Sequence, residues 1–508
     1  MPFAVRDDTE AFVIRRDFSG GMNSRVHGSA IGDNQATILT NVDIGTPSQR
    51  SKRPGITLLE DISNNVGLGL FGFEPDGGTN LLIAVEGTSL WTWADGGSFT
   101  SRKTDFTTGL IPEIIKIGES ALGDVFVVGN GTDNWFRFDP ADLGTPQDLG
   151  DTNTSPPLSA VASYYRNRFW VLDSNNLYWS DAFDEDYSGA FDRTTNFYRI
   201  PVGTARKLVG LRDEGIIAFG SEEIWGINPS VTPAATDKPT KLLEIGCVSG
   251  RTVTQVGDDI LFLAPDGVRG VFRSQQDKLQ LGSSYPLSYV LKDEVVSLNW
   301  AQISKASAVY FDNKYFLSVP VDASATCNEV WVYFPASQGW MVITGWNVAG
   351  WAKLTVDGEE RLYAIDSTDG KIYRAWSGFS DNSTAIDYTE ESRKEDFGQP
   401  LVKKVGGVLK VKAASSGDYD LTISASTDDN AYVSLGTMNL VGSAPVLPIA
   451  LPFDLADSNV VEGTFHLDSL GEFYQLRIKI QHNDTNGSDD IIIYETNLTA
   501  YANPYQSE

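Results

Sequence analysis

From about residue 80 to residue 376 the chain repeats one pattern: an alternating apolar strand, a tight turn rich in Gly, Asn or Asp, and a second strand carrying an aromatic. Seven segments show it: LLIAVEGTSLWTW (Leu81 to Trp93), VFVVGNGTDNWFRF (Val125 to Phe138), RFWVLDSNNLYW (Arg168 to Trp179), IIAFGSEEIWGI (Ile216 to Ile227), ILFLAPDGVRGVF (Ile260 to Phe272), KYFLSVPVDASATCNEVWVYF (Lys314 to Phe334) and RLYAIDSTDGKIYRAW (Arg361 to Trp376). Successive hairpins start roughly 43–54 residues apart, near the period of a four-stranded propeller blade. Such a sheet cannot cover both its faces alone, whereas sheets packed radially cover one another. The pattern therefore predicts a β-propeller whose second-strand aromatics fill the wedges between blades.

All twelve Trp lie between Trp91 and Trp376, and beyond them the style changes. Long strands without Trp alternate polar and apolar residues: Leu401 to Ala414, Asp418 to Ser426, Tyr432 to Leu440, Thr464 to Leu470, Phe473 to His482 and Ile491 to Tyr501. Such alternation marks antiparallel strands with one buried face, and predicts a small β-sandwich. The first 55 or so residues fit neither pattern, being rich in Gly, Asn, Asp and Ser with isolated apolar positions, as in an extended arm lying along other surfaces. The predicted architecture is all-β: an N-terminal extended arm over 1–55, a β-propeller over 56–385 and a C-terminal β-sandwich over 386–508. A chain ending near residue 380 is expected to stay folded, and removal of residues 1–55 to leave the propeller intact while abolishing assembly.

Length agrees with several domains, since 508 residues exceed what one core supports. Hydrophobic residues at 41% and charged residues at 21% are ordinary for a globular protein, and no apolar run approaches the length of a membrane-spanning helix. The start MPFAVRDDTE lacks the pattern of a secretory signal, and two cysteines, Cys247 and Cys327, are too few for a disulfide framework, which suits assembly in a reducing cytoplasm. The balance of 39 Lys and Arg against 67 Asp and Glu, a net −28, argues against binding DNA through a broad basic face.

Candidate chemistry is sparse. His27, His466 and His482 are scattered and lack metal-binding spacing, and neither GxSxG nor a phosphate-binding GxxxxGK[ST] occurs. Propellers can host glycoside hydrolysis by paired carboxylates, for which Asp181, Asp184, Glu185, Asp186, Asp213/Glu214 and Glu222/Glu223 offer groups, though solvated loops explain them as well. STDDNAY (Ser426 to Tyr432) faintly resembles the Ser/Asp turn of sialidases but occurs once, and reads as a hairpin turn. DSTDGKIY (Asp366 to Tyr373) lacks the full calcium-loop pattern and also reads as a turn. No cofactor, metal or catalytic residue is predicted, and the chain is read as a non-enzyme.

The arm carries three stretches in order: DFSGGMNSR (Asp17 to Arg25), DNQATILTNVDI (Asp33 to Ile44) and QRSKRPGITLL (Gln49 to Leu59). Their combination resembles the opening of tail nozzle proteins, also called packaged-DNA stabilisation or tail hub proteins, of short-tailed bacteriophages. The matching residues are Phe18, Gly20, Gly21, Met22 and Asn23, then Asp33, Asn34, Gln35, Ala36, Asn41 and Val42, then Lys52, Arg53, Pro54 and Gly55. DFGQPLVKKVGGVLKVKA (Asp396 to Ala413) and LGEFYQLRIKIQH are similar to the C-terminal β-domain of the same proteins. The resemblance implies a virion tail protein assembled in the host cytoplasm. It would form a hexameric ring below the portal and the tail adaptor ring, meet tail fibre or needle/plug proteins, and continue the channel through which packaged DNA passes without specific binding. Apart from the resemblance, the clustered charges Arg50, Lys52 and Arg53 in an acidic chain fit either docking of the arm on an acidic neighbouring surface or a plain solvated turn. Asp181, Asp184, Glu185, Asp186, Glu222 and Glu223 are the candidate acidic residues of the lumen. The alternative is a receptor-binding or glycan-cleaving tail spike.

Overall fold

The computed structural model describes residues 10–62, 65–120, 123–182, 189–211, 215–234, 236–417, 419–440, 460–482 and 490–502. Strands hold 51% of the chain and helices 7%. Each of the seven hairpins becomes the second and third strands of a sheet whose first strand lies innermost. Six small sheets stand in a ring and make a β-propeller. They are four-stranded over 67–103, 113–148, 162–199 and 205–243, three-stranded over 254–270, and four-stranded again over 348–375, where strand Ile56–Glu60 supplies the last member. Between the sheets at 254–270 and 348–375 the ring is filled by Ser307–Phe311, Lys314–Val319, Glu329–Phe334 and Gly339–Thr344, the first four strands of a ten-stranded sheet.

Apolar clusters fill the wedges between blades, but their aromatics come mostly from the first strands of the hairpins, with Trp93 and Trp135 from the second halves. Phe73 meets Phe126 at 5.3 Å and Trp135 meets Phe169 at 5.1 Å. Phe219 meets Phe262 at 5.6 Å, and Trp93 meets Tyr363 at 6.1 Å across the closure. Each pair joins neighbouring sheets, so the ring is held by blade-to-blade burial of large aromatic surface. Ile56–Glu60 pairs antiparallel with Ile372–Ala375, and this clasp fastens the start of the ring to its end.

In the three-stranded blade a helix, Val271–Leu281, follows directly where a fourth strand would begin. Gly282, at φ 72°, caps it in the left-handed conformation. The edge that a missing strand leaves unpaired is buried, and is partly satisfied by Ser288, whose Oγ accepts the Val268 N–H at 2.9 Å. The polar run RSQQDK gives this helix a weak apolar stripe, which is why periodicity did not announce it.

All six predicted C-terminal strands form, as Lys404–Ser415, Tyr419–Thr427, Val433–Leu440, Val461–His466, Leu476–His482 and Ile491–Ala502. They divide between a seven-stranded sheet and the far half of the ten-stranded one. Leu409, Val411 and Ile493 of the first meet Leu421, Ile423 and Ile480 of the second in one apolar cluster. That cluster continues without a break to Trp331, Trp340 and Trp346 of the propeller.

The arm is woven into both sheets. Glu10–Arg15 and Arg50–Lys52 both pair with Ile491–Ala502. Gln35–Thr40 lies parallel to Gly339–Thr344 on one side and antiparallel to Tyr388–Ser392 on the other. This single arm strand therefore joins propeller to sandwich inside the ten-stranded sheet.

Candidate functional site

The three arm stretches that carry the family resemblance converge on one buried seam. Phe18 lies against the Arg50 guanidinium at 3.6 Å, and Arg50 Nε donates to Glu390, which also accepts the Tyr388 hydroxyl at 3.0 Å. Gly20 N–H donates to the Asn34 carbonyl at 3.1 Å, and Asn23 donates from its side chain to Gln35 Oε1 at 2.9 Å, which fixes the first stretch on the second. Gly21 sits at φ 67°, where an added Cβ would lie 2.3 Å from the Trp340 backbone nitrogen, so only glycine fits. Asp33, exposed, accepts from Arg393.

Asn41 is the hub of the seam. Held at φ 60°, it donates to the Asp387 carbonyl at 2.7 Å and accepts at Oδ1 from Arg53 Nε at 2.8 Å and from the Thr344 N–H at 3.2 Å. Arg53 completes the node with a two-pronged contact to Asp381, Nη1 to Oδ1 at 2.9 Å and Nη2 to Oδ2 at 2.6 Å. The Trp346 ring lies 4.5 Å from its guanidinium, and the indole N–H donates to the same carboxylate at 2.9 Å. Lys52 Nζ lies 5.2 Å from the Tyr419 ring. Pro54 accepts at its carbonyl from Arg53 Nη1, and a Cβ on Gly55 would fall 1.9 Å from the Ser380 carbonyl oxygen.

This placement corrects one expectation. Arg50, Lys52 and Arg53 are at most 1% exposed, so their charges are used inside the chain and do not reach a neighbour. The sequence showed a basic cluster in an acidic protein but not that Glu390 and Asp381, more than three hundred residues away, receive it.

Of the acidic residues expected to face a lumen, Asp181 and Glu222 are exposed. Glu223 accepts from Trp225 Nε1 at 2.9 Å and from Lys241 at 3.2 Å. Asp184, Glu185 and Asp186 lie outside the described residues, as do Asp213 and Glu214. His27 pairs with Ser29 and Lys394, whereas His482 is buried edge-on against Tyr419, so these imidazoles serve separate places. Burial pushes the thiols of Cys247 and Cys327 up to about 11. Asp366 accepts the N–H of Thr368 at 2.7 Å, and Asp428 and Asp429 adopt positive φ between paired strands, so DSTDGKIY and STDDNAY are turns. Among the described residues no group of three or more His, Cys, Asp or Glu is gathered as a metal site would need.

The second locus, missed by sequence reasoning, is the propeller axis. A cavity of 190 Å³ is lined there by Leu70, Glu113, Lys207, Arg251, Ser307 and Trp351, each from a different blade's innermost segment or its approach. It adjoins a cleft of 570 Å³ that shares Phe71, Glu113, Ile114 and Lys207. Lys207 is paired with Glu113, and Lys116 with Asp124 at 2.8 Å. Arg251 donates to the Ala349 carbonyl, and burial draws its guanidinium below the usual value, with Cys327 and Glu113 opposing. No motif could have revealed this site, because its residues are brought together only by ring closure.

No protein family matches the chain, and no curated protein matches it by sequence. Among solved structures it is similar to PorZ, a surface component of the type-IX secretion system of Porphyromonas gingivalis, at 12% identity and a TM-score of 0.36 over 70% of this chain. The chain spans only 44% of the PorZ length. It is also similar to a catalytically inactive virginiamycin B lyase from Staphylococcus aureus solved with quinupristin, at 12% identity and a TM-score of 0.41, covering 64% of this chain and 98% of the lyase. BBS1N in complex with ARL6DN aligns at 11% identity and a TM-score of 0.25, covering 58% of this chain and 74% of that one. Likeness at this level says nothing of what the chain does.

Proposed function

We propose that the chain is a structural subunit of a virus particle, a tail nozzle or hub protein of a short-tailed phage. Its ring, of six copies by the family resemblance, would continue the DNA channel below the portal and the tail adaptor ring, and help retain and release packaged DNA. One observation supports this most: the residues that carry the resemblance are not scattered but meet in one seam, where Phe18, Asn41 and Arg53 join propeller to sandwich. A motif that builds a joint fits a rigid assembly part. The space at the propeller axis, 190 Å³ with its adjoining cleft, suits small molecules and not a duplex. A DNA channel would therefore run between subunits, with exposed carboxylates such as Asp181 and Glu222 as candidates for its wall. Low affinity along such a wall follows from the net −28, because each Lys or Arg contact to phosphate would hold the passing DNA.

Native mass measurement and electron imaging of the purified chain, alone and with adaptor rings, test the reading. Closed rings, or rings formed only on the adaptor, are expected. Trimers that bind or cleave a host polysaccharide would overturn it in favour of a tail spike.

A further inference from the structure

The stretch 271–300 begins where the three-stranded blade would take its fourth strand, and its outer side is apolar. Leu279, Leu281, Tyr285, Tyr289, Val296 and Trp300 stand exposed on it, Leu279 at 88% and Val296 at 74%; they are six of the nineteen large hydrophobic side chains exposed among the described residues. The inner side is anchored by Val271, Leu291 and Leu298, all buried. The arm holds its middle: Arg25 lies against the Tyr289 ring at 3.2 Å, and the Ser24 N–H donates to the Val290 carbonyl at 3.0 Å. A stretch that is fixed in place and keeps this much apolar surface in water marks a contact surface. Its charge also departs from that of the chain. Residues 271–300 hold three cations and three carboxylates against a net −28 overall, and the exposed Arg273, Lys278 and Lys292 make no salt bridge among the described residues.

A complementary surface lies across the ring. Asp142–Asp148, the outer strand of the sheet over 113–148, has an aspartate exposed at each end, no cation, and an outer edge unpaired among the described residues. Asp142 accepts from the Thr145 hydroxyl, and Asp148 from Asn134 at 2.9 Å and the Gly150 N–H at 2.7 Å, all neutral donors. Leu143 and Pro146, half-buried, add apolar surface between the two acids. The blade at 254–270 is three places from this strand one way round the ring and four the other, so the two surfaces of one copy cannot meet. Complementary surfaces that face different ways join copies head to tail.

We propose that copies of the chain associate in solution through this pair of surfaces, the stretch 271–300 of one copy seated against the strand Asp142–Asp148 of the next. The exposed apolar side chains form the centre of the contact, and Arg273, Lys278 and Lys292 form a rim facing the aspartates. The contact names the faces through which the proposed ring would close, and it rests on that reading for the closure alone.

Sedimentation velocity of the full-length chain from about 1 to 200 µM tests this, with association that grows with concentration and weakens with salt as the expected result. Leu279→Asp with Val296→Asp, both at exposed positions, should weaken association about tenfold or more, as should Lys278→Glu with Lys292→Glu. Adding Asp142→Lys and Asp148→Lys to the second pair, on the same chain, should restore it, because every contact then joins two reversed faces. If Asp148→Lys disturbs its turn, Lys278→Glu with Asp142→Lys carries the exchange. The proposal is overturned by a chain that stays monomeric throughout, by unchanged association in Leu279→Asp with Val296→Asp, or by a charge reversal that the exchange does not restore. Electron imaging separates it from the ring reading. Rings that form equally well from the chain with Leu279→Asp and Val296→Asp overturn this contact and leave the ring standing, whereas restored association into open chains keeps the contact and overturns the ring.

Discussion

A cation sealed in a protein interior must be met by an anion or by aromatic faces, and Arg50 and Arg53 use both. Arg50 is 1% exposed and faces the carboxylate of Glu390, itself 6% exposed, so removing the guanidinium leaves a buried charge unpaired. Arg50→Ala should cost about 3–5 kcal/mol in denaturant unfolding. Arg53→Lys keeps the charge but cannot make the two-pronged contact with Asp381 while also reaching Asn41, and about 2 kcal/mol is expected. Equal stability of Arg53→Lys and wild type would show that charge alone matters there. Asp192 gives a pH-dependent counterpart at the surface. Hydrogen bonds from the Thr194 and Thr195 hydroxyls and the Thr194 N–H hold its carboxyl down at about 2. With the folded value depressed below the unfolded one, its contribution is present above the ordinary carboxylate range and lost as pH falls toward about 2. The melting-temperature gap between wild type and Asp192→Asn should close over that window. A gap that stays constant with pH would show that the carboxylate charge is irrelevant to the turn.

Two short arm strands do different jobs. Ile56–Glu60 closes the ring through its pairing with Ile372–Ala375, while Gln35–Thr40 lies between Gly339–Thr344 and Tyr388–Ser392. Deleting residues 1–55 spares the clasp but strips the middle strand from the ten-stranded sheet, bares the edges of both neighbours and uncovers Trp340 and Met341. The expectation from sequence was a propeller that survives this deletion; the pairing argues for the reverse, a chain that aggregates or loses its native tryptophan emission. Normal folding of the deleted chain, read by near-ultraviolet circular dichroism, would restore the view of the arm as an appendage. The blades were legible because each carries a strong apolar hairpin with its own turn, such as LLIAVEGTSLWTW, and local alternation suffices to find them. The arm strands were not: Arg50–Lys52 is three residues long and polar, and its place depends on Glu390 and Ile493, far away in the chain. The axial site was invisible for the same reason, since Arg251, Ser307 and Trp351 have nothing in common locally.

At the scale of the molecule the question is whether propeller and sandwich unfold as one. The loss of Trp after Trp376 marks a change in packing style, and the sequence reading placed a boundary at 385 on that ground. Five of the apolar clusters stay within the ring, each tied to particular blades. The largest does not: it runs from Leu261 and Trp331 through Trp340 to Tyr419, Ile478 and Ile493, with arm residues Leu39 and Val42 inside it. A chain ending at residue 385 would keep the ring closed, because Ile372–Ala375 and its partner remain, yet would lose Tyr388–Ser392 and every sandwich residue that covers this cluster. Burial of shared apolar surface couples the stabilities of the elements that share it, so scanning calorimetry of the full-length chain should give a single main transition, and the chain cut at 385 should aggregate. The coupling should also transmit damage: Arg50→Ala, placed in the seam, is expected to lower the melting of propeller tryptophan fluorescence and of sandwich hydrogen-exchange protection by the same amount. Two resolved transitions, with the mutation moving only one of them, would show instead that the seam is a contact between units that fold alone.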